Sequence, residues 1–146
     1  MTRTRLPPTS RSLPIALMRA REGVMAPIRD MLSQTGMTEQ QWRVLRVLDD
    51  YGQMDAKTLA DHASLLLPSL TRIAATLCEK GYIIQKRDGK DRRRQMIEIT
   101  TSGKAIIDDN AAKAAQIAAD FKDVLGEANY EMLLDFLEIL NPKTPS

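Results

Sequence analysis

Five cationic side chains crowd one short segment of the chain, residues 87–94, and have the most distinctive chemistry in the sequence. Only Asp88 and Asp91 offset their charge. Positive charges this close together repel one another, and a polyanion such as a phosphate backbone would relieve the repulsion. The segment therefore predicts a polyanion contact, while the simpler interpretation is a solvated charged surface. The five cations are Arg87, Lys90, Arg92, Arg93 and Arg94.

Charge is unevenly distributed along the 146-residue chain, although the formal total is only +2. Residues 1–21 contain five arginines and no acidic residue, and residues 72–104 contain nine basic and four acidic residues. Residues 105–146 contain three basic and eight acidic residues. A basic block followed by an acidic segment indicates a localised contact with a polyanion rather than a generally adhesive protein.

Residue types needed for catalysis or metal binding are scarce. The single cysteine, Cys78, cannot form an internal disulfide, and together with the single histidine, His62, it does not supply the ligands of a structural zinc site. His62 has no serine, cysteine or carboxylate at a spacing typical of a catalytic triad. No apolar run approaches the ~20 residues of a membrane span, and residues 1–12 lack the apolar core of a signal peptide. We therefore expect a cytoplasmic protein that is not an enzyme and binds no metal, cofactor or membrane.

Helical periodicity dominates the first part of the chain. Apolar residues recur every three to four positions from Leu13 to about Gln34, which predicts an amphipathic helix that Pro27 should kink. Thr38, with Gln41 three residues later, has the pattern of a capping box that opens a second helix. We expect Val44, Leu45, Leu48 and Tyr51 to form the buried face of that helix.

Two shorter helices follow. Asp55 is expected to cap a helix over residues 56–63. A fourth helix begins near Leu67, with Pro68 in its first turn, and Gly81 provides its stop. On a helical projection, the buried face of the fourth helix consists of Leu66, Leu70, Ile73, Ala74 and Leu77.

After the fourth helix the apolar period changes from 3.6 to about 2. Residues 82–86 and 95–99 are rich in β-forming side chains and flank the cationic segment, which predicts a hairpin with a long cationic tip. Two further helices are expected over about residues 101–124 and 127–140. The predicted fold is mainly α with a small β hairpin.

Three helices followed by a basic hairpin are the parts of a winged helix-turn-helix, in which a recognition helix enters the major groove and the wing contacts the backbone or minor groove. The fourth helix would be the recognition helix. Its outward face is small and polar: an arginine suits a bidentate contact with guanine, and the hydroxyls suit phosphates or base edges. That face alone could equally be ordinary surface, but the helix and hairpin in this order favour nucleic-acid binding. The predicted DNA-binding residues of the helix are Ser69, Thr71, Arg72 and Thr76.

Two segments resemble the MarR family of bacterial transcriptional regulators. Residues 91–100 match the family's wing pattern, Asp-x-Arg followed by an apolar residue and Thr, with the family's glycine at Gly103. Ile99 stands where the family has leucine, a mild departure. Residues 77–83 resemble the junction that follows the family's recognition helix, and the likeness extends over about residues 13–140.

The resemblance implies a winged helix-turn-helix with flanking dimerisation helices. Residues 12–22 and 38–46 are also similar to the branch that represses homoprotocatechuate-degradation operons, which implies a repressor of an aromatic-compound catabolic operon. Members form homodimers that bind double-stranded DNA at an inverted repeat. The implied organisation is a flexible basic arm (1–12), a regulator (13–140) with dimerisation helices (13–36 and 101–140) around a DNA-binding wing module (37–100), and a tail (141–146).

The resemblance also implies release from DNA by a small phenolic or aromatic acid that enters a pocket between the dimer helices and the wing module. Arg21 interrupts the apolar stripe of the first helix, where an unpaired charge is costly, so it needs an anion from a carboxylate of the other chain or from the ligand. Trp42 would be either a core residue or a surface for stacking an aromatic ring. The candidate ligand-binding residues are Arg19, Arg21, Met25, Trp42 and Arg46.

Two alternatives stand beside the ligand-released repressor. A winged-helix protein-interaction module would turn the arginine cluster toward an acidic protein and bind no DNA. A thiol-sensing repressor would depend on Cys78, whose simpler role is that of a small buried hydrophobe. Among the remaining polar residues, Asp91 is expected to orient Arg93, and His62 to cap its helix or contact a phosphate.

Overall fold

The computed structural model describes residues 2–91 and 93–142. Within them the chain forms six α-helices and a three-stranded antiparallel sheet, which confirms the predicted order of helices and adds one short strand. A 3₁₀ turn at Thr9–Arg11 precedes the first helix. The elements are α1 (Leu13–Leu32), α2 (Glu39–Tyr51), β1 (Met54–Asp55), α3 (Ala56–His62), α4 (Leu67–Glu79), β2 (Ile83–Arg87), β3 (Gln95–Ile99), α5 (Thr101–Leu125) and α6 (Glu127–Leu140).

Side-chain caps fix the starts of three helices. Thr38 accepts the Gln41 backbone N–H at 3.1 Å and the Gln41 side chain accepts the Thr38 N–H at 3.1 Å, which confirms the capping box. Asp55 accepts the Thr58 N–H at 2.8 Å and caps α3, as predicted. Thr100 caps α5, because its side chain accepts the Gly103 N–H at 3.1 Å.

The hairpin of β2 and β3 is the predicted wing, and β1 extends it into a sheet of order β1-β3-β2. Ile83 lies opposite Ile99 across the hairpin, and Met54 lies opposite Ile97. With only two residues, β1 is too short to show an alternating pattern, which is why the sequence did not predict it. This strand joins the start of α3 to the base of the wing.

The hydrophobic core lies between α2, α3, α4 and the sheet. Met31 and Leu32 of α1 and Ile107 of α5 join it from the flanking helices, so these helices are attached to the winged module. The largest side chains that are fully buried are Val44, Leu45, Leu48, Leu59, Leu70, Leu77, Ile83 and Ile97.

Two residues expected in the core are exposed. Tyr51 is the last residue of α2 and is 63% exposed, and its ring lies against that of His62 with the centroids 4.4 Å apart. Leu66 is 75% exposed because it precedes α4 as its N-cap, so the helical projection does not apply to it. In addition, α1 ends at Leu32 rather than near Gln34, because the chain turns there.

Apolar side chains remain exposed on α1 and α6. Every residue of α6 is at least partly accessible, and within the described chain this helix packs chiefly on α5. Exposed apolar side chains grouped on two helices are typical of a protein interface, and a second copy of the chain is the partner that the family resemblance implies. The exposed side chains include Leu17, Met18, Val24, Met132, Leu133, Phe136, Leu137 and Ile139.

Candidate functional site

The recognition helix and the wing lie on one side of the molecule. A concave region of about 590 Å³ is lined by Lys57 from the first turn of α3, Leu67 from the start of α4, and Arg87, Arg93 and Arg94 of the wing. We call it the cationic surface. A second cavity, of about 170 Å³, is lined by residues of both α4 and the sheet, including Thr71 and Gln95. The recognition helix and the wing therefore form a continuous surface.

An ion pair fastens the wing to the helix-turn-helix. The Nε and Nη2 atoms of Arg94 donate to Asp55 Oδ2 at 3.0 and 2.9 Å. The other oxygen of Asp55 caps α3. Hydrogen bonds from Thr58, reinforced by the charge of Arg94, hold the pKa of Asp55 below its usual value although partial burial opposes them. Asp55 therefore joins two elements that DNA binding needs in a fixed relative position.

The other described wing cations extend toward solvent. Arg93 is 95% exposed and pairs with Asp91 at 3.5 Å, which is the orienting contact that the sequence predicted. Lys90 and Arg87 are also exposed. Arg92 lies outside the described residues. Cations presented in this way are suited to phosphate oxygens, which would replace or share their carboxylate partners.

On α4, the two threonine hydroxyl groups donate to the helix backbone, and Arg72 is exposed. Thr71 Oγ1 donates to the Leu67 carbonyl at 2.9 Å, and Thr76 Oγ1 donates to the Arg72 carbonyl at 3.3 Å. Ser69 is partly buried, whereas Arg72 is exposed. Arg72 is therefore the best-placed side chain of this helix for hydrogen bonding to a base edge.

The start of α5 is locked to the end of the recognition helix. Thr100 Oγ1 donates to the Gly81 carbonyl at 2.7 Å, and the Thr100 N–H donates to the Tyr82 carbonyl at 3.0 Å. A Cβ atom on Gly103 would stand 2.3 Å from the Tyr82 carbonyl oxygen, so only glycine allows this close approach. Thr100 and Gly103 thus explain the end of the wing motif: they join the start of α5 to the segment between α4 and β2.

A separate cavity of about 350 Å³ lies among α1, α2 and α5. Its size is within the range of small-molecule sites. Trp42, only 7% exposed, is both a core residue and part of the wall, and Arg46 is the one cation among the lining residues. The remaining lining residues are Ile28, Ile107, Ala111, Ala114, Ala115 and Ala118.

Only part of the predicted ligand set reaches this cavity. Trp42 and Arg46 line it, but among the described lining residues Arg19, Arg21 and Met25 do not occur. The sequence expected Arg21 to need a carboxylate from another chain or a ligand. Instead it is 58% exposed and pairs within its own chain with Glu39 at 3.7 Å.

The sequence reading missed the α5 wall of the cavity. The sequence feature that corresponds to this wall is the row of alanines in α5. Alanines also occur where two helices pack closely, so the pattern alone did not distinguish a cavity wall from a helix contact. Glu39 was missed as well. It sits 18% exposed between Arg21 and Arg43, and Arg43 Nε lies 3.4 Å from its carboxylate.

Cys78 and His62 take structural positions. Burial raises the pKa of the Cys78 thiol, which disfavours the reactive thiolate. His62 lies in the last turn of α3 and packs against the ring of Tyr51, and its role as a cap or phosphate contact stays a prediction. The described part of the chain contains no group of three or more residues arranged to hold a metal ion, and no helix in it has the length and apolar character needed to cross a bilayer.

Comparison with known proteins agrees with this geometry. The profile described as the MarR family matches residues 37–94. The chain is 32% identical over 126 residues to the HTH-type transcriptional regulator FarR of Neisseria gonorrhoeae, covering 86% of each chain. It is 33% identical over 129 residues to the homoprotocatechuate degradative operon repressor of Escherichia coli, covering 88% of this chain and 85% of the relative. The crystal structure of NadR in complex with 4-hydroxyphenylacetate is similar with a TM-score of 0.81 and 31% identity, covering 96% of each chain.

Proposed function

The chain belongs to the MarR family of DNA-binding transcriptional regulators, and on that premise we propose that it represses an operon for the degradation of aromatic compounds. A small phenolic or aromatic acid would release it from its operator. The chain would act in the cytoplasm as a homodimer without catalytic activity. The domain organisation inferred from the sequence, with dimerisation helices at 13–36 and 101–140 around a wing module at 37–100, is part of this proposal.

The observation that supports DNA binding most directly is that α4 and the wing share the cationic surface. Lys57 adds a cation from α3 to the set that the sequence predicted. Three elements therefore converge on one concave face. Neutralising phosphates there would release counterions, so affinity should fall steeply as salt rises.

The exposed apolar faces of α1 and α6 support a twofold homodimer. Two winged modules related by a twofold axis bind an inverted repeat whose half-sites lie about one helical turn apart, roughly 34–36 Å. Ser69, Thr71, Arg72 and Thr76 of α4 would face the major groove. The wing contacts would come from Arg87, Lys90, Arg92, Arg93 and Arg94.

The cavity beside α5 supports an acidic aromatic effector. An aromatic ring would contact Trp42 and the alanine wall, and its carboxylate would pair with Arg46. NadR, by its description, binds 4-hydroxyphenylacetate, and the Escherichia coli relative is named for homoprotocatechuate. We extend that chemical class to this chain.

The structure also suggests how effector binding would reach DNA. The cavity wall is formed by α5, and Thr100 and Gly103 lock the start of α5 to the end of the recognition helix. An effector that binds one arrangement of α5 better than another would shift the spacing of the two winged modules. The inferred coupling is thus between the cavity and the α4–β2 junction.

Fluorescence anisotropy with labelled duplexes selected from a random pool tests the proposal. We expect a preferred inverted repeat whose complex dissociates when 4-hydroxyphenylacetate is added. Absence of binding tighter than about micromolar at about 0.1 M salt would favour the protein-interaction module instead. Release by peroxide that a Cys78→Ser variant abolishes would favour the thiol sensor.

A further inference from the structure

The outward face of the recognition helix is more apolar than the helical projection of the sequence predicted. Leu67, the first residue of α4, is 46% exposed. Pro68 and Ala75 are exposed on the same helix, where Arg72 supplies the positive charge. A helix that faces only water gains nothing from an exposed leucine, because that apolar area stays hydrated.

Leu67 also occupies a specific place. It is the α4 residue that lines the cationic surface, together with Lys57 and the wing arginines. Unlike the cations around it, a leucine side chain cannot form a hydrogen bond or an ion pair with a phosphate. Where a recognition helix meets a major groove, the apolar feature of a base pair is the C5 methyl group of thymine.

The threonine hydroxyl groups on α4 already donate hydrogen bonds within the helix. The Thr71 hydroxyl donates its proton to the Leu67 carbonyl, and the Thr76 hydroxyl donates to the Arg72 carbonyl. These two hydroxyls can still accept a hydrogen bond from a base, but among the exposed side chains of α4 Arg72 is the one left to donate to a base edge. Apolar contact is the second mode that the exposed side chains allow.

We propose that Leu67 is a specificity-determining residue that reads one thymine in each operator half-site through the thymine methyl group. The inference rests on the proposed function, since it requires a bound duplex. The twofold symmetry of the dimer places the two thymines at equivalent positions of the inverted repeat.

The chain supplies a matched control in the neighbouring leucine. Leu66 is more exposed than Leu67, at 75%. It lines a different depression, with Ser64, Asn141 and Pro142, that shares no lining residue with the cationic surface. A Leu66→Ala variant therefore removes a similar exposed side chain without removing the proposed contact.

The test replaces thymine by 2′-deoxyuridine, which deletes the methyl group and leaves base pairing unchanged. An operator is first selected with the full-length wild-type protein. Each dT of the selected half-site is then changed to dU symmetrically, and Kd is measured by anisotropy. We expect one position at which the change weakens binding about fourfold per half-site, the effect of burying one methyl-sized group.

Protein variants assign that effect to its residue. With Leu67→Ala, the dT and dU operators should bind within about 1.5-fold of each other, because the interaction energy of the pair is lost. With Leu66→Ala, the wild-type preference should persist. The dT/dU ratio should also be the same at about 0.1 and 0.3 M salt, because an apolar contact releases no counterions.

Four results would overturn the inference. They are a selected half-site without thymine, equal affinity of wild type for every dU operator, a dT preference that survives in Leu67→Ala, and a preference lost equally in Leu66→Ala. Because the dU operators test an unaltered protein, misfolding of a variant cannot imitate the first two. Failure of the wild type to bind any duplex selectively would instead overturn the proposed function, and this inference with it.

Discussion

Arg94, the last residue of the cationic loop of the wing, and Asp55 at the start of α3 form a two-point ion pair, with nitrogen–oxygen distances of 3.0 and 2.9 Å. The two residues are 39 positions apart in the chain. Since Asp55 also caps α3, one carboxylate positions the wing and one helix of the helix-turn-helix together. The pair makes Arg94 an anchor of the wing, and its contact with phosphate stays a prediction.

The Asp55→Asn variant tests whether Arg94 acts in DNA binding as an anchor of the wing or only as a phosphate contact. If Arg94 only contacted phosphate, removing the negative charge at Asp55 would leave binding unchanged or strengthen it. If the pair anchors the wing, binding should weaken about three- to tenfold, because the wing must be ordered when the complex forms. Measurement of Kd for the selected operator decides between these directions, with tighter binding contradicting the anchor.

Stability measurements isolate the cap. Asp55→Ala should lower the free energy of unfolding by about 1–2 kcal/mol, because α3 loses its N-cap. Asp55→Asn keeps a capping oxygen and loses only a partly exposed ion pair, so its cost should be about 0.2–1 kcal/mol. Urea denaturation gives both values, and equal losses in the two variants would contradict the capping role.

Acidification should remove the contribution of Asp55. Its pKa is lowered in the folded chain by the Thr58 hydrogen bonds and by Arg94, relative to an unfolded value of about 3.9. A lowered carboxyl pKa stabilises the fold at neutral pH, and the contribution is lost as pH falls through the folded value. The stability difference between wild type and Asp55→Asn should therefore stay constant near neutrality and shrink below about pH 4. A difference that grows on acidification would contradict the direction of this shift.

Gly103→Ala should be destabilising although alanine favours helices. Its Cβ would stand 2.3 Å from the Tyr82 carbonyl oxygen and 2.7 Å from an Ile99 side-chain carbon, so the junction between α5 and β2 must shift. We expect a loss of about 1–3 kcal/mol. Gly23→Ala in α1 is the matched control: nothing lies within 4 Å of its new Cβ, so it should be neutral or stabilising by up to about 1 kcal/mol. Similar melting temperatures for the two variants would argue against the close contact.

The single tryptophan provides a direct probe of the cavity. Trp42, the only tryptophan in the sequence, lines the cavity, and Arg46 is the one cation among the lining residues. Addition of 4-hydroxyphenylacetate should change the intrinsic fluorescence of the wild type. Arg46→Ala should weaken that response by at least about tenfold in ligand concentration, because a charge-assisted contact of about 1.5–3 kcal/mol is lost. Arg19→Ala, which changes a cation outside the described cavity lining, should respond like wild type, and equal sensitivity of both variants would contradict the assignment.

The sequence was most informative where structure depends on neighbouring residues. The Thr38–Gln41 box, the Asp55 cap and the changes of apolar period gave every long helix and the wing, because each is set within a few positions of the chain. Long-range contacts were not accessible in this way. Neither β1 nor the Arg94–Asp55 pair has a local signature, and the exposure of Leu66 follows from a helix start one residue later than the projection assumed.

For the candidate site, residue types predicted which side chains carry the functional charges better than they predicted which residues those side chains contact. The wing cations were identified from their crowding, and Asp91 does orient Arg93. Arg21 was expected to need an anion because its stripe would be buried, but its side chain is 58% exposed and its partner is Glu39 of the same chain. Which residues line the cavity depends on how α1, α2 and α5 pack, and periodicity within one helix does not encode that arrangement.

The central claim is that α4 and the wing act as one DNA-binding surface with separate tasks, and its most direct test is the salt dependence of Kd for the selected operator and a scrambled duplex. Arg72→Ala should cost about 1–3 kcal/mol on the operator and little on the scrambled duplex. Arg93→Ala should weaken binding to both alike and lower the slope of log K against log salt by about one. Equal losses on both duplexes for Arg72→Ala, or an unchanged slope for Arg93→Ala, would contradict the claim.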